Sequence, residues 1–160
     1  MTDVTVKRFD EMETAVGGVF VRARAELGVS AFGMQVFDLP PGFDVPFAAH
    51  RHQDLPPELA FADHGQEEVY VPLRGRGTLI AGDDRWELVP GMAVRVGPAQ
   101  TRQIVTGDEP LQYLAIGGTP GAVYTPPAFT ELGAGDEPPG ARALRERQSA
   151  EGAFGGAPAR

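Results

Sequence analysis

The side chains best able to do chemistry gather in one short stretch. All three histidines, His50, His52 and His64, lie within a 15-residue window, with Asp63, Glu67 and Glu68 beside or just after them. His50 and His52 are two residues apart. In an extended strand, positions i and i+2 project to the same side, so both imidazoles address one space while Arg51 faces away. Glu68 opens the next strong strand pattern and shares a face with Tyr70 and Pro72. Two imidazoles and a carboxylate suit a divalent transition metal and leave an open position for water, oxygen or substrate. The plainer alternative is a set of packed or solvated histidines.

Composition removes whole classes of activity. The chain has 160 residues and no cysteine, so disulfides, thiolate catalysis and zinc–sulfur sites are excluded. Its formal charge of −8 offers no electrostatic footprint for nucleic acid or an anionic membrane. No apolar run reaches the length of a membrane-spanning helix, and the polar N-terminus lacks a signal core; a cytoplasmic protein is the expectation. Neither serine, Ser30 or Ser149, sits in a Gly-x-Ser-x-Gly elbow. The glycine pairs around Arg76 and at Gly117-Gly118 are not followed by the Lys-Ser/Thr of a phosphate loop.

The elements that must position these residues read as strands. Gly and Pro together supply 36 residues, which punctuate short apolar or alternating runs at 32–39, 68–73, 78–81, 85–89, 93–96, 103–106 and 111–116. Gly82-Asp83-Asp84 is a good hairpin turn. Strand-plus-turn units of roughly 8–12 residues point to an all-β sandwich or barrel. Helical signals are confined to 8–14, 57–61 and 141–150. Val19, Val21, Ala23 and Ala25 fall on one face and suggest an edge strand. Residues 133–160 are rich in Gly, Pro and Ala and read as a flexible tail.

Two motifs carry a resemblance. Gly42 leads to His50-Arg51-His52, and Glu68 is followed by six residues and then Gly75, within the run QEEVYVPLRGRGTL. Further on, Gly97-Pro98-Ala99 sits in the run PGMAVRVGPAQTRQIVT. The stretch from Pro41 to Gly118 resembles the cupin superfamily, small conserved barrels of the double-stranded β-helix (jelly-roll) type that are defined by two such motifs. The resemblance implies a barrel over residues 30–118; around it, 1–29 read as edge strands, 119–132 as a surface-packed extension anchored by Tyr124 and Phe129, and 133 onward as the tail. The resemblance also implies a homodimer.

Two departures from the family pattern bear on function. Fifteen residues separate His52 from Glu68 where the family has three or four; this insert delivers His64 as a substitute ligand and is either a lid or a neutral excursion. Arg102 stands where the family's third histidine ligand would be, and Thr106 where its asparagine would be. An arginine has no lone pair to give and repels a cation. Turned inward, it would pair with Glu68 or anchor an anionic ligand.

The resemblance implies a small-molecule-binding protein with its site inside the barrel. One expectation is a metal-dependent enzyme of oxygenase or isomerase type, in which His50, His52 and Glu68 hold iron, manganese, nickel or zinc, and His50, His52, Arg102 and Tyr70 form the catalytic set. The other is a metal-free ligand-binding or sensor module, or an acid–base isomerase or cyclase. Trp86 is expected in the core or at an interface, and Gln100 and Gln103 at the barrel mouth or in solvent.

Overall fold

The computed structural model describes residues 3–44 and 65–137. His50, His52 and His64, the helices expected at 57–61 and 141–150, most of the insert and the tail beyond 137 lie outside the described residues. In chain order the elements are β1 (Thr14–Ala15), β2 (Phe20–Val21), α1 (Ala23–Leu27), β3 (Gly33–Leu39), β4 (Glu67–Gly75), β5 (Gly77–Ala81), β6 (Asp84–Leu88), β7 (Val94–Val96), β8 (Gln103–Val105) and β9 (Leu111–Gly118), with single 3-10 turns at Phe9–Glu11 and Ala128–Thr130. None of the described helices is long and apolar enough to cross a membrane.

The strands form two antiparallel sheets, one ordered β1-β2-β3-β9-β4-β7 and one ordered β6-β5-β8. The alternation that suggested strands also decides which side chains meet. Along β9, Leu111, Tyr113, Ala115 and Gly117 are buried while the residues between them are half-buried. The inward set joins Leu39 of β3, Tyr70 of β4 and Val96 of β7 from the large sheet with Leu79, Leu88 and Ile104 from the small one. This core between the sheets is what makes the structure a barrel. Fully burying a leucine such as Leu79, Leu88 or Leu111 contributes roughly 1.5–3 kcal/mol.

The other face of the large sheet is covered by the N-terminal segment, where Met12, Val21 and Ala23 pack on Val36. Here the expected strand pattern over 19–27 gives way after two residues. Ala23–Leu27 is an α-helix, ended by Gly28 in the left-handed conformation with its N–H bonded to the Ala25 and Arg24 carbonyls. The sequence ARAEL is composed of strong helix formers, and glycine at this position is the usual helix stop. Local propensity therefore outweighs a weak alternation.

The C-terminal segment returns to this region. Phe129 packs with Ala15 and Phe20, and the buried Arg22 donates to the carbonyls of Phe129 and Gly135 and to the Glu13 carboxylate. Glu13 in turn accepts from the Gly133 N–H, so ordered contacts run past position 133. Trp86, expected in the core or at an interface, stands on β6, an edge strand among the described residues, and is 46% exposed; of the two places, the core is ruled out.

Candidate functional site

The site is assembled where β4 of the large sheet faces the residues that lead into β8 of the small one. Glu68, Tyr70 and Pro72 occupy alternate positions of β4 and so share its inner face. On the opposing sheet, Arg102, Ile104 and Thr106 alternate in the same way, and all three are buried. The chain passes from one sheet to the other at Gly75-Arg76-Gly77, which sets the two faces against each other.

Arg102 is 2% exposed and reaches across to β4. Its Nε donates to the Tyr70 hydroxyl at 2.9 Å, and its Nη2 donates to Glu68 Oε2. The Tyr70 hydroxyl donates to that same oxygen. Carboxylate, phenol and guanidinium thus close a three-membered ring of hydrogen bonds in which every pair is joined. Arg102 Nη1 also lies 3.5 Å from the Gln100 carbonyl, and Gln66 Nε2 lies 3.5 Å from Glu68 Oε1. Three of the sequence-predicted site residues, Glu68, Tyr70 and Arg102, are therefore brought into contact.

The electrostatics follow from burial. Burial raises the Tyr70 pKa well above the ordinary 10.0, and the neighbouring Glu68 charge adds to the effect. Burial likewise pushes Tyr113 up, with a smaller contribution from Glu68. For Arg102, burial alone would favour the neutral form; Tyr70 and Glu68 overcome it and raise the pKa. Both phenols keep their protons throughout the neutral range, and Arg102 stays charged. Tyr70 is thus a hydrogen-bond donor held by Glu68, not a base.

A titration prediction follows. Both tyrosine pKa values are raised in the fold relative to an unfolded value near 10.0. Below pH 10 the two states hold the same protons, so these groups add no pH dependence. Above it the unfolded chain releases protons that the fold retains, and stability falls. Two such groups give up to about 2.7 kcal/mol per pH unit. Ultraviolet titration should find two of the three tyrosines silent until the protein unfolds; reversible ionisation of all three near pH 10 would contradict the geometry.

Several participants carry no sequence motif. Tyr113 stacks on Phe37 with ring centroids 5.0 Å apart and meets Tyr70 edge-on at 5.5 Å. Gln66 fills the space that Gly117 leaves open, since a Cβ there would lie 2.2 Å from its Nε2. Tyr124 sits in the same way beside Gly33, and Gly33, Gly117 and Glu68 form one row across the sheet. Gln35 lies one position along, in a row with Ala115 and Tyr70. Alternation alone places Gln35 on the inner face; its burial and its neighbours required the tertiary structure.

Thr106 has a structural part. Its hydroxyl donates to the Pro40 carbonyl at 2.5 Å and accepts from the Phe43 N–H at 2.8 Å. Its own N–H bonds the Phe43 carbonyl at 2.9 Å. It pegs the chain after β3, just ahead of the segment that carries the histidines. Gln103 is bonded to Asp44 at 3.0 Å.

Of the expected ligands His50, His52 and Glu68, only Glu68 is among the described residues, and its Oε2 is already shared by a cation and a phenol. No group of three potential ligand side chains occurs among the described residues.

The two antiparallel sheets closed around one core have the cupin fold. The structure is similar to a cupin protein from Bacteroides fragilis, with 23% identity over 78% of this chain and 92% of that one and a TM-score of 0.56. It is also similar to a sugar phosphate isomerase from a cupin superfamily from Silicibacter pomeroyi, with 20% identity, coverage of 76% and 77%, and a TM-score of 0.55. No protein-family model and no curated protein matches the sequence. At these identities the likeness establishes the fold: the chain has the cupin fold.

Proposed function

We propose that this barrel binds a small organic molecule between its sheets and works without a metal on Glu68. The observation that carries this reading is the occupation of Glu68 Oε2 by both Arg102 and Tyr70. A cation at the expected site would have to displace the guanidinium and then sit beside it, at a cost in repulsion and in separating a buried arginine from its carboxylate. Glu68, Tyr70 and Arg102 instead act as a rigid, charge-compensated wall that orients a ligand.

The same pairing favours a neutral ligand over an anionic one. An inward arginine anchors a carboxylate or phosphate through free donors, whereas Arg102 is already neutralised by Glu68. Within this reading, His50 and His52 distinguish two activities. Neutral imidazoles placed at the ligand would serve as the acid–base pair of an isomerase or cyclase; without them the barrel is a ligand-binding or sensor module.

Elemental mass spectrometry of tag-free protein, alongside the His50→Ala/His52→Ala double variant, tests the proposal. The expected result is far less than one metal per chain in both. Near-stoichiometric iron, manganese, nickel or zinc in the native protein, lost in the variant, would overturn it in favour of the metal-dependent enzyme.

A further inference from the structure

Gln35 is a polar side chain on the inner face of β3 that stands outside the hydrogen-bonded ring. It is 9% exposed, and neither its amide oxygen nor its amide nitrogen has a hydrogen-bond partner among the described residues. Buried side-chain amides are satisfied in nearly all folded proteins, and each exception calls for a reason. Gln35 shares the inner face of β3 with Phe37 and Leu39, and its sheet neighbours in register are Ala115 and, one strand further, Tyr70. Ala115 is its small neighbour in register, while Gln66 and Tyr124 fill the space at Gly117 and Gly33 in the adjoining row. Gln35 and Tyr70 thus stand on strands two spacings apart, roughly 10 Å between their backbones.

We propose that Gln35 is a specificity-determining contact for the barrel's ligand, and that this ligand is a neutral molecule presenting a C=O and an N–H side by side, as a lactam or cyclic imide does. The inference rests on the reading of the barrel as a ligand site and deepens it. The chemistry is set by complementarity. An unpaired amide offers one acceptor and two donors in a plane, so its partner must supply both a donor and an acceptor. A carboxylate supplies acceptors only, leaves Gln35 Oε1 unsatisfied, and brings a net charge against a wall whose charges already cancel. Polar groups left unpaired in the empty site then reject ligands that lack the matching pair.

Two measurements test this. An orphaned amide destabilises the ligand-free fold, so Gln35→Met and Gln35→Leu should each raise the melting temperature of the full chain, by about 3 °C or more. A fall in both variants would show that Gln35 is satisfied in the free protein and would overturn the proposal. In thermal-shift titrations, δ-valerolactam in tenfold excess over its dissociation constant should raise the melting temperature of the native protein by a few degrees. The shift should vanish in Gln35→Met and should exceed that from cyclohexanecarboxylate or cis-cyclohexanediol. An equal lactam shift in the variant, no lactam shift in the native protein, or a larger shift from the carboxylate or the diol would each overturn it. The metal measurement above is independent, so failure here leaves the metal-free reading standing.

Discussion

Gly75→Ala is expected to destabilise the protein by about 4 kcal/mol, enough to remove much of a typical domain's stability. Gly75 ends β4 with φ at 76°, and a Cβ there would lie 1.9 Å from the Pro110 carbonyl oxygen and 2.9 Å from its carbon. The left-handed conformation alone costs an L-residue about 1–2 kcal/mol. The clash is with backbone, which cannot rotate aside, and overpacking of this kind costs about 1–3 kcal/mol. The next residue is equally committed, since the Arg76 N–H bonds the Pro110 carbonyl at 3.0 Å. Moving this corner would shift the crossing from β4 to β5 and with it the distance from Glu68 to Arg102. Gly82→Ala is the control: its φ is 63°, but a Cβ there meets nothing within 4 Å, so only the conformational cost of about 1–2 kcal/mol applies. Urea denaturation of the two variants measures the difference. Equal losses would mean that the clash at the corner relaxes freely.

Breaking the Glu68–Arg102 pair is expected to be nearly as costly. The Arg102 side chain is 1% exposed and that of Glu68 13%, so Arg102→Met leaves a largely buried carboxylate without its cation and the Tyr70 hydroxyl without its donor. Removing one partner of a buried pair costs about 3–5 kcal/mol, while replacing both by apolar groups of similar volume is often close to neutral. Arg102→Met/Glu68→Met should therefore recover most of the loss, and Arg102→Lys should not, because a lysine cannot reproduce the fork that serves Tyr70 and Glu68 together. A double-mutant cycle read by chemical denaturation checks this. Single losses below about 1 kcal/mol, or additive effects, would show that the ring of hydrogen bonds does not couple the sheets.

The site was partly legible before the fold was known, for local reasons. Glu68 and Tyr70 are two residues apart in a strong strand pattern, and covalent geometry then puts them on one face wherever the strand goes. The spacing from Glu68 to Gly75 marks the corner where the chain must turn. Arg102 was placed by the second motif, and its charge made Glu68 its natural partner. Tyr113, Gln66 and Gln35 were not singled out, because a tyrosine or glutamine at an alternating position reads the same whether it fills a core or lines a site. The helix at Ala23–Leu27 was missed because four small or branched residues at even spacing imitate a strand, and its real determinants are the helix-forming run and the Gly28 stop. For Trp86 the pattern of β6 did not separate core from interface, because it does not tell that β6 is an edge strand among the described residues.

What is local and periodic was legible in the sequence: strands punctuated by Gly and Pro, the inward face of each, and the cupin-like spacing of the motifs. Only the tertiary structure decided which inward faces oppose each other. That choice closed Glu68, Tyr70 and Arg102 into one ring and left Gln35 without a partner among its described neighbours. The physical reason is one of range. Strand alternation is dictated by backbone geometry within a few residues, whereas the meeting of residues 68 and 102, on different sheets, depends on the packing of the whole core between them.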